Sequence, residues 1–334
     1  MMRNIKILGL TVTLIIVFST MLLSQDIASS RLRRELTQPL QTVFVKEHKN
    51  NHLGSGVAIS PDGRLLIYIG DDNGLYLRSM GSEQEHLLLN EAGPGLDAFS
   101  NPAFSSDGTQ VFFSAGGETR YYPSNIYSIR IDGSGLKRLT QAKELPPQEN
   151  GGDDQPIYAQ YFGSAQPAPD GAKLLLYLYN SVQGTGEVAL MDPDGSHLEI
   201  VSQGIPLFWS SDARAVYYTQ DDIVKRFDLS TRQSLTITGL RERILGKLPD
   251  GEIFGIDNGK DVSLDSVQNE SATPLMRWNL PRVKFTDRED KNTGVRTTDQ
   301  LTLTSFQWSK SGRILLVYEG EATERFEVVE PLKR

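Results

Sequence analysis

The stretch NPAFSSDGTQVFFSA (Asn101–Ala115), followed by SNIYSIRIDGSGLKRLT (Ser124–Thr140), decides the fold of this 334-residue chain. Short apolar segments in it flank two Asp-Gly pairs, at Asp107-Gly108 and Asp132-Gly133. Asp-Gly between apolar strands predicts a tight hairpin turn, because glycine adopts a positive φ without steric cost. The stretch therefore predicts a unit of four antiparallel strands: strand, turn, strand, loop, strand, turn, strand.

The first turn of this unit recurs along the chain. The copies are SPDG at Ser60–Gly63, SSDG at Ser105–Gly108, APDG at Ala168–Gly171, SSDA at Ser210–Ala213, LPDG at Leu248–Gly251 and SKSG at Ser309–Gly312. They lie roughly 40 to 60 residues apart, and a β-rich repeat with a period near 40 to 45 residues is typical of propeller blades. Six copies predict six blades.

This unit resembles the repeat of TolB-like propellers. In that repeat a Trp/Phe-Ser-Pro-Asp-Gly turn, an apolar strand, Ile-Tyr, Asp-Gly and Arg-Leu-Thr follow one another. Asn101–Thr140 is the best copy and Ala165–Ser202 the second, and the resemblance extends from about Ser55 to Val329. It implies an all-β, six-bladed β-propeller. The α/β domain that precedes the propeller in TolB has no counterpart here, so the resemblance implies the fold and not the Tol–Pal role.

An additional strand precedes the first blade. The segment QTVFVKE (Gln41–Glu47) reads as a strand, whereas the last blade, Phe306–Val329, supplies only three. We expect this N-terminal strand to complete the last blade and close the ring, because closure removes exposed strand edges. The predicted propeller domain is residues 40–334.

The N-terminus predicts export. Arg3 and Lys6 precede the apolar run ILGLTVTLIIVFSTMLL (Ile7–Leu23), the pattern of a signal peptide or an uncleaved helical anchor. Residues 1–24 are the predicted signal or anchor, and residues 25–39 a tether. The propeller is then extracytoplasmic (periplasmic or at the cell surface), secreted or held to the membrane only through residues 5–24.

Composition and motifs favour binding over catalysis. The chain has no Cys and a formal net charge of −8, which argues against thiol chemistry and nucleic-acid partners. We find no G-x-S-x-G, H-E-x-x-H or phosphate-binding glycine motif, so no catalytic residue, metal or cofactor is predicted. The leading hypothesis is a non-catalytic binding or scaffold propeller. The alternative is a metal-dependent hydrolase or lyase, lactonase-like, with its site at the central channel.

Two long connections suggest where a partner would bind. They run from Gln141 to about Phe162 and from about Asn279 to Thr304, and both should emerge on one face, on opposite sides of the channel. Tyr and Arg are common at binding hot spots. The candidate contact residues are Arg120, Tyr121, Tyr122, Asp153, Asp154, Tyr158 and Tyr161. The expected partner is another protein, a glycan or a cell-envelope component.

Overall fold

The computed structural model describes residues 38–49, 56–82, 84–90, 96–118, 123–145, 158–240, 243–259, 261–278, 280–289, 296–321 and 323–332. Within these ranges the chain forms 25 β-strands in six antiparallel sheets and no helix. The all-β, six-bladed propeller predicted from the repeat is confirmed. Each sheet is one blade, and each of the six repeated turns joins two neighbouring strands of its blade.

Blades one to three have four strands each, in chain order from the first strand to the fourth. Blade one contains β2 (Val57–Ile59), β3 (Leu65–Ile69), β4 (Leu75–Ser79) and β5 (Glu85–Leu89). Blade two contains β6 (Ser100–Phe104), β7 (Gln110–Glu118), β8 (Pro123–Arg130) and β9 (Lys137–Arg138). Blade three contains β10 (Gln160–Pro167), β11 (Leu174–Asn180), β12 (Thr185–Met191) and β13 (Glu199–Gln203).

Blades four and five repeat this order, whereas the last sheet has five described strands. Blade four contains β14 (Ile205–Trp209), β15 (Ala215–Gln220), β16 (Ile223–Asp228) and β17 (Gln233–Thr236). Blade five contains β18 (Ile244–Lys247), β19 (Ile253–Asp257), β20 (Val262–Gln268) and β21 (Ser271–Trp278). The sixth sheet has the order β1 (Leu40–Lys49), β25 (Thr323–Pro331), β24 (Ile314–Glu319), β23 (Arg296–Trp308) and β22 (Val283–Glu289).

The repeated turn is held by a buried serine. In blade one the Ser60 hydroxyl donates to Asp62 Oδ1 at 2.6 Å and accepts from the backbone N–H of Arg64 and of Leu65. Gly63 takes a φ of 72°, and a Cβ added there would lie 2.2 Å from Ser311 Oγ of blade six. Serine, aspartate and glycine thus recur because each supplies one part of the turn.

Neighbouring blades share apolar clusters. One cluster joins Ile67 and Leu77 of blade one to Phe113 of blade two, and another joins Leu66 of blade one to Phe326 of blade six. Between blades five and six, Phe306 fills the space that side chains on Gly246 and Gly255 would occupy. The core of the fold therefore lies between the sheets, which is why the blades stack as a ring.

The second long connection is not the loop that the sequence suggested. Residues 283–289 form β22, which pairs with the first half of the long strand β23, from Val283 opposite Thr302 to Glu289 opposite Arg296. The second half of β23 pairs with β24. The connection is thus a β-hairpin that continues the first strand of blade six. Apolar and polar side chains alternate at Val283, Lys284 and Phe285, and this alternation favours a strand over a loop.

The chain divides into two compact units. The larger, Thr42–Glu330, contains all six sheets apart from the strand ends. Of the smaller, Met1–Gln41 and Pro331–Arg334, residues 38–41 and 331–332 are described, and there the Leu332 N–H donates to the Pro39 carbonyl at 2.9 Å. The predicted signal or anchor (1–24) and most of the tether lie outside the described residues, among which no helix is long and apolar enough to cross a membrane.

Candidate functional site

The two ends of the sheets differ, and we name them the turn face and the loop face. The turn face carries the connections between first and second strands, such as Ser60–Gly63, and between third and fourth strands. The loop face carries the connections between second and third strands and from one blade to the next. The described ends of both long connections lie on the loop face, because each connection follows the last strand of one blade.

The structure places only two of the candidate contact residues. Tyr158 forms an isolated bridge with Glu144 at the base of the first connection, and its carbonyl accepts a hydrogen bond from Ser181 Oγ at 2.5 Å. Tyr161, on β10, stacks on Tyr179 with ring centroids 5.0 Å apart. Both are half-buried on the loop side of blade three. Arg120, Tyr121, Tyr122, Asp153 and Asp154 lie outside the described residues, so their predicted contact role stays a prediction.

The first strands of all six blades line a central cavity of about 680 Å³. Its wall is mostly apolar or uncharged, with Ala58, Phe104 and Trp209 beside the amides of Asn101, Gln166 and Gln307. The Gln307 amide bridges two blades: it donates to the Val57 carbonyl and accepts from the Ile59 N–H, both at 3.2 Å. Part of the polar lining therefore holds neighbouring blades together.

Two carboxyl groups line the cavity near the loop face. Glu319 and Glu324 lie opposite each other where β24 turns into β25. Glu324 is 2% exposed, and burial, with the negative charge of Glu319 as the second cause, raises its pKa to about 7. Within the described residues no group of three or more His, Asp or Glu side chains is arranged to hold a metal ion. The described part of the cavity therefore offers a carboxyl pair.

A lysine lines the opposite end of the cavity. Lys247 is largely buried, and its Nζ donates to Ser211 Oγ at 2.5 Å and lies 3.9 Å from Glu252 Oε1. Burial lowers the pKa of Lys247, against the attraction of Glu252. Since Glu252 also accepts from the Ser211 N–H at 2.7 Å, the lysine links the turns of blades four and five.

A buried charge network attaches the hairpin of β22 and β23 to blade six. Glu327, 1% exposed, pairs with Lys284 of the hairpin and with Arg325 at 2.5 Å. Arg325 also pairs with Glu47 of β1 at 2.6 Å, and Glu47 accepts a hydrogen bond from Thr286 at 2.9 Å. The hairpin, β25 and β1 are thus joined by side chains that alternate in charge.

A further buried carboxylate lies where blades two and three meet. Glu187 of β12 is 6% exposed, and the sequence did not single it out as a candidate site residue. It projects on the same side of the sheet as Leu178, its partner on β11, and Leu178 belongs to the cluster shared with Phe112 and Ile126 of blade two. A Glu directly before the apolar run Val188–Met191 was the available signal, because alternation places it on the same side of the sheet as Ala189 and Met191.

No protein-family model matches the sequence, and the search of curated proteins found no match either. Solved structures do resemble it. Oligogalacturonate lyase from Vibrio parahaemolyticus is similar with a TM-score of 0.51 and 13% identity, over 83% of this chain and 78% of that one. An oligogalacturonate lyase in complex with manganese gives 0.50 and 14%, over 83% and 77%.

The similar structures also include a putative TolB from Agrobacterium tumefaciens, with a TM-score of 0.45 and 17% identity, over 67% of this chain and 80% of that one. At such identities the two similarities with the lyases support the fold alone, because one propeller architecture serves many functions.

Proposed function

We propose that this chain is a non-catalytic, extracytoplasmic binding or scaffold propeller that engages a protein or glycan partner through its loop face. One observation carries the proposal. The three most exposed large apolar side chains among the described residues all lie on the loop-face side: Phe285 (65%) on β22, Val182 (63%) in the connection between β11 and β12, and Ile205 (54%) at the start of β14. Exposed apolar side chains around long connections are typical of interaction surfaces.

The turn face supplies a matched control. Leu136 and Leu198, each 41% exposed, lie in corresponding connections between third and fourth strands of blades two and three. We would cross-link the tagged chain in its native membrane fraction and compare Phe285→Ser/Val182→Ser with Leu136→Ser/Leu198→Ser. A partner retained by the turn-face variant and lost from the loop-face variant would support the proposal. Equal recovery from both variants would contradict it.

The N-terminal part of the proposal is that residues 1–24 direct export or anchor the chain, and that β1 closes the ring. The charge pattern of Arg3, Lys6 and the apolar run supports export. The position of β1 next to β25 in the sheet order, and the contact of Lys46 with the Tyr68 ring of blade one at 4.0 Å, support closure. Protease accessibility of the propeller in intact cells and spheroplasts tests the location.

A second candidate is the metal-dependent hydrolase or lyase with its site at the channel. The carboxyls of Glu319 and Glu324 on the wall of a cavity favour it, since a buried carboxyl such as Glu324, whose pKa is raised to about 7, suits acid–base work. Among the described residues no third His, Asp or Glu side chain joins this pair to complete a group that could hold a metal ion. Turnover of lactone or uronate substrates that is lost in Glu324→Gln would favour this candidate.

A further inference from the structure

Glu187 differs from Glu327, another buried carboxylate, in its neighbours. Its Oε1 accepts a hydrogen bond from Asn180 Nδ2 at 3.1 Å, but its Oε2 is buried and accepts none. Among the described residues no Lys, Arg or His forms an ion pair with it, whereas Glu327 has Lys284 and Arg325. A buried carboxylate without a cation is costly, because neither water nor an opposite charge offsets its lost hydration.

A second acceptor beside it is also unused. Thr185 Oγ1 is buried without a hydrogen-bond partner. Thr185 and Glu187 are two residues apart on β12 and so project on the same side of the sheet. Asn180, the cross-strand partner of Thr185, has no acceptor capacity left for a ligand, because its Oδ1 already accepts from the N–H groups of Val182 and Gln183. Two unused oxygens thus face the same junction between blades.

This junction lies directly at the base of the first long connection. The connection leaves blade two at Ala142, whose N–H donates to Asn125 Oδ1 at 2.8 Å, and returns at Ala159, whose carbonyl accepts from the Ser181 N–H at 2.9 Å. Ser181 is the neighbour of Asn180, the hydrogen-bond partner of Glu187. The unused oxygens therefore belong to the first and third residues of β12, at its loop-face end and beside the described ends of the first long connection.

We propose that Glu187 and Thr185 form a binding site for an organic cation, an ammonium or guanidinium group that donates hydrogen bonds to Glu187 Oε2 and Thr185 Oγ1. Such a group supplies both the charge and the N–H donors that the site lacks. A calcium ion fits less well, because it needs six to eight oxygens and two are unused here. This site deepens the proposed function and rests on it in one respect: a lysine or arginine side chain of the loop-face partner is the natural source of the cation.

Thermal unfolding of the full-length chain in mild detergent tests the site directly. The probes are methylammonium chloride and methylguanidinium chloride at millimolar concentration, against sodium chloride at equal ionic strength. A ligand that binds only the folded state raises Tm in a saturable way. We expect that rise for wild type, its loss in Glu187→Gln, and a several-fold weaker response in Thr185→Val.

Glu252→Gln is the matched control, because Glu252 also has a buried, unpaired Oε2 but lies 3.9 Å from the Lys247 cation on the turn face. It should keep the wild-type response. Without probe, Glu187→Gln should raise Tm by about 2 °C or more by removing an unpaired charge, and Glu252→Gln should lower it.

Three results would overturn the site: equal responses of wild type and Glu187→Gln, a saturable response to calcium chloride but to neither organic cation, or a Glu187→Gln variant less stable than wild type. The cross-linking experiment substitutes Phe285 and Val182 and keeps Glu187, whereas the thermal-unfolding experiment substitutes Glu187 and keeps Phe285 and Val182. Failure of the proposed function and failure of this site therefore give different results.

Discussion

The turn face and the loop face of this propeller are built by different rules. On the turn face the same hydrogen bonds recur: Ser60, Ser105 and Ser210 each donate to an Asp two residues later and accept backbone N–H groups. On the loop face the described residues repeat no such pattern. Glu187, near that face, accepts from Asn180, and Glu327, in the middle of β25, pairs with Lys284 of the loop-face hairpin. The repeated turns specify the propeller fold. The loop face, where the hydrogen bonds do not repeat, is the end at which functional side chains can be placed without disturbing that fold.

The largest difference should appear between the carboxylate that attaches the loop-face hairpin to blade six and a carboxylate on the turn-face side. Glu327→Ala leaves Lys284 and Arg325 without their buried partner, and we expect a loss of about 3–5 kcal/mol of unfolding free energy. Glu330 on the turn-face side pairs with Arg313 at 2.9 Å in a more exposed setting, so Glu330→Ala should cost about 1 kcal/mol or less. Urea unfolding measures both, and equal losses would show that the two faces do not differ in this respect.

The two faces should also respond to pH in opposite directions. Burial and the charge of Glu319 raise the pKa of Glu324 from 4.5 to about 7, so the folded state binds this proton more tightly than the unfolded state. The stability from Glu324 is therefore fully present below about pH 4.5 and is lost as pH rises to about 7, by up to ~3 kcal/mol. On the turn face, hydrogen bonds from Ser105 and Thr109 lower the pKa of Asp107, so its contribution is lost only as pH falls through the acid range.

Urea unfolding from pH 4 to pH 8 measures this response, with Glu324→Gln as the matched variant. The fall between about pH 4.5 and pH 7 should be much smaller in the variant. An unchanged slope would show that Glu324 does not titrate in this window.

The smallest effect concerns a single turn. Ser60→Ala removes the buried hydroxyl that accepts from Arg64 and Leu65, and should cost about 1–3 kcal/mol. Blade three provides the reverse change, because Ala168 occupies the serine position of its turn. Ala168→Ser should stabilise by about 1 kcal/mol or less. A Ser60→Ala variant as stable as wild type in urea would show that the glycine and aspartate suffice for the turn.

The fold was predictable from the sequence because its information is local and repeated. Each turn, such as Ser105–Gly108, carries its own signal, and six copies reinforce one another. The hairpin of β22 and β23 was read as a loop, although its alternating side chains favour strands, because it lies outside the repeat that located the other strands. Glu187 and Glu324 were missed for a similar reason: a carboxylate on a strand becomes notable only when the neighbouring blade buries it. The candidates near Tyr161 came from composition, which does not specify contacts.

The sheet order of blade six sets a constraint on how the molecule folds. Glu47 of β1 and Arg325 of β25 are 278 positions apart, yet they form one ion pair in one sheet. Blades one to five can each form from local hairpins as synthesis proceeds, but β1 has no strand to pair with until β25 is made. Contacts between such distant segments form slowly, since a long loop must close first. Until then an unpaired strand edge is open to wrong partners, so the interval between the synthesis of β1 and of β25 is when this chain most needs protection from aggregation.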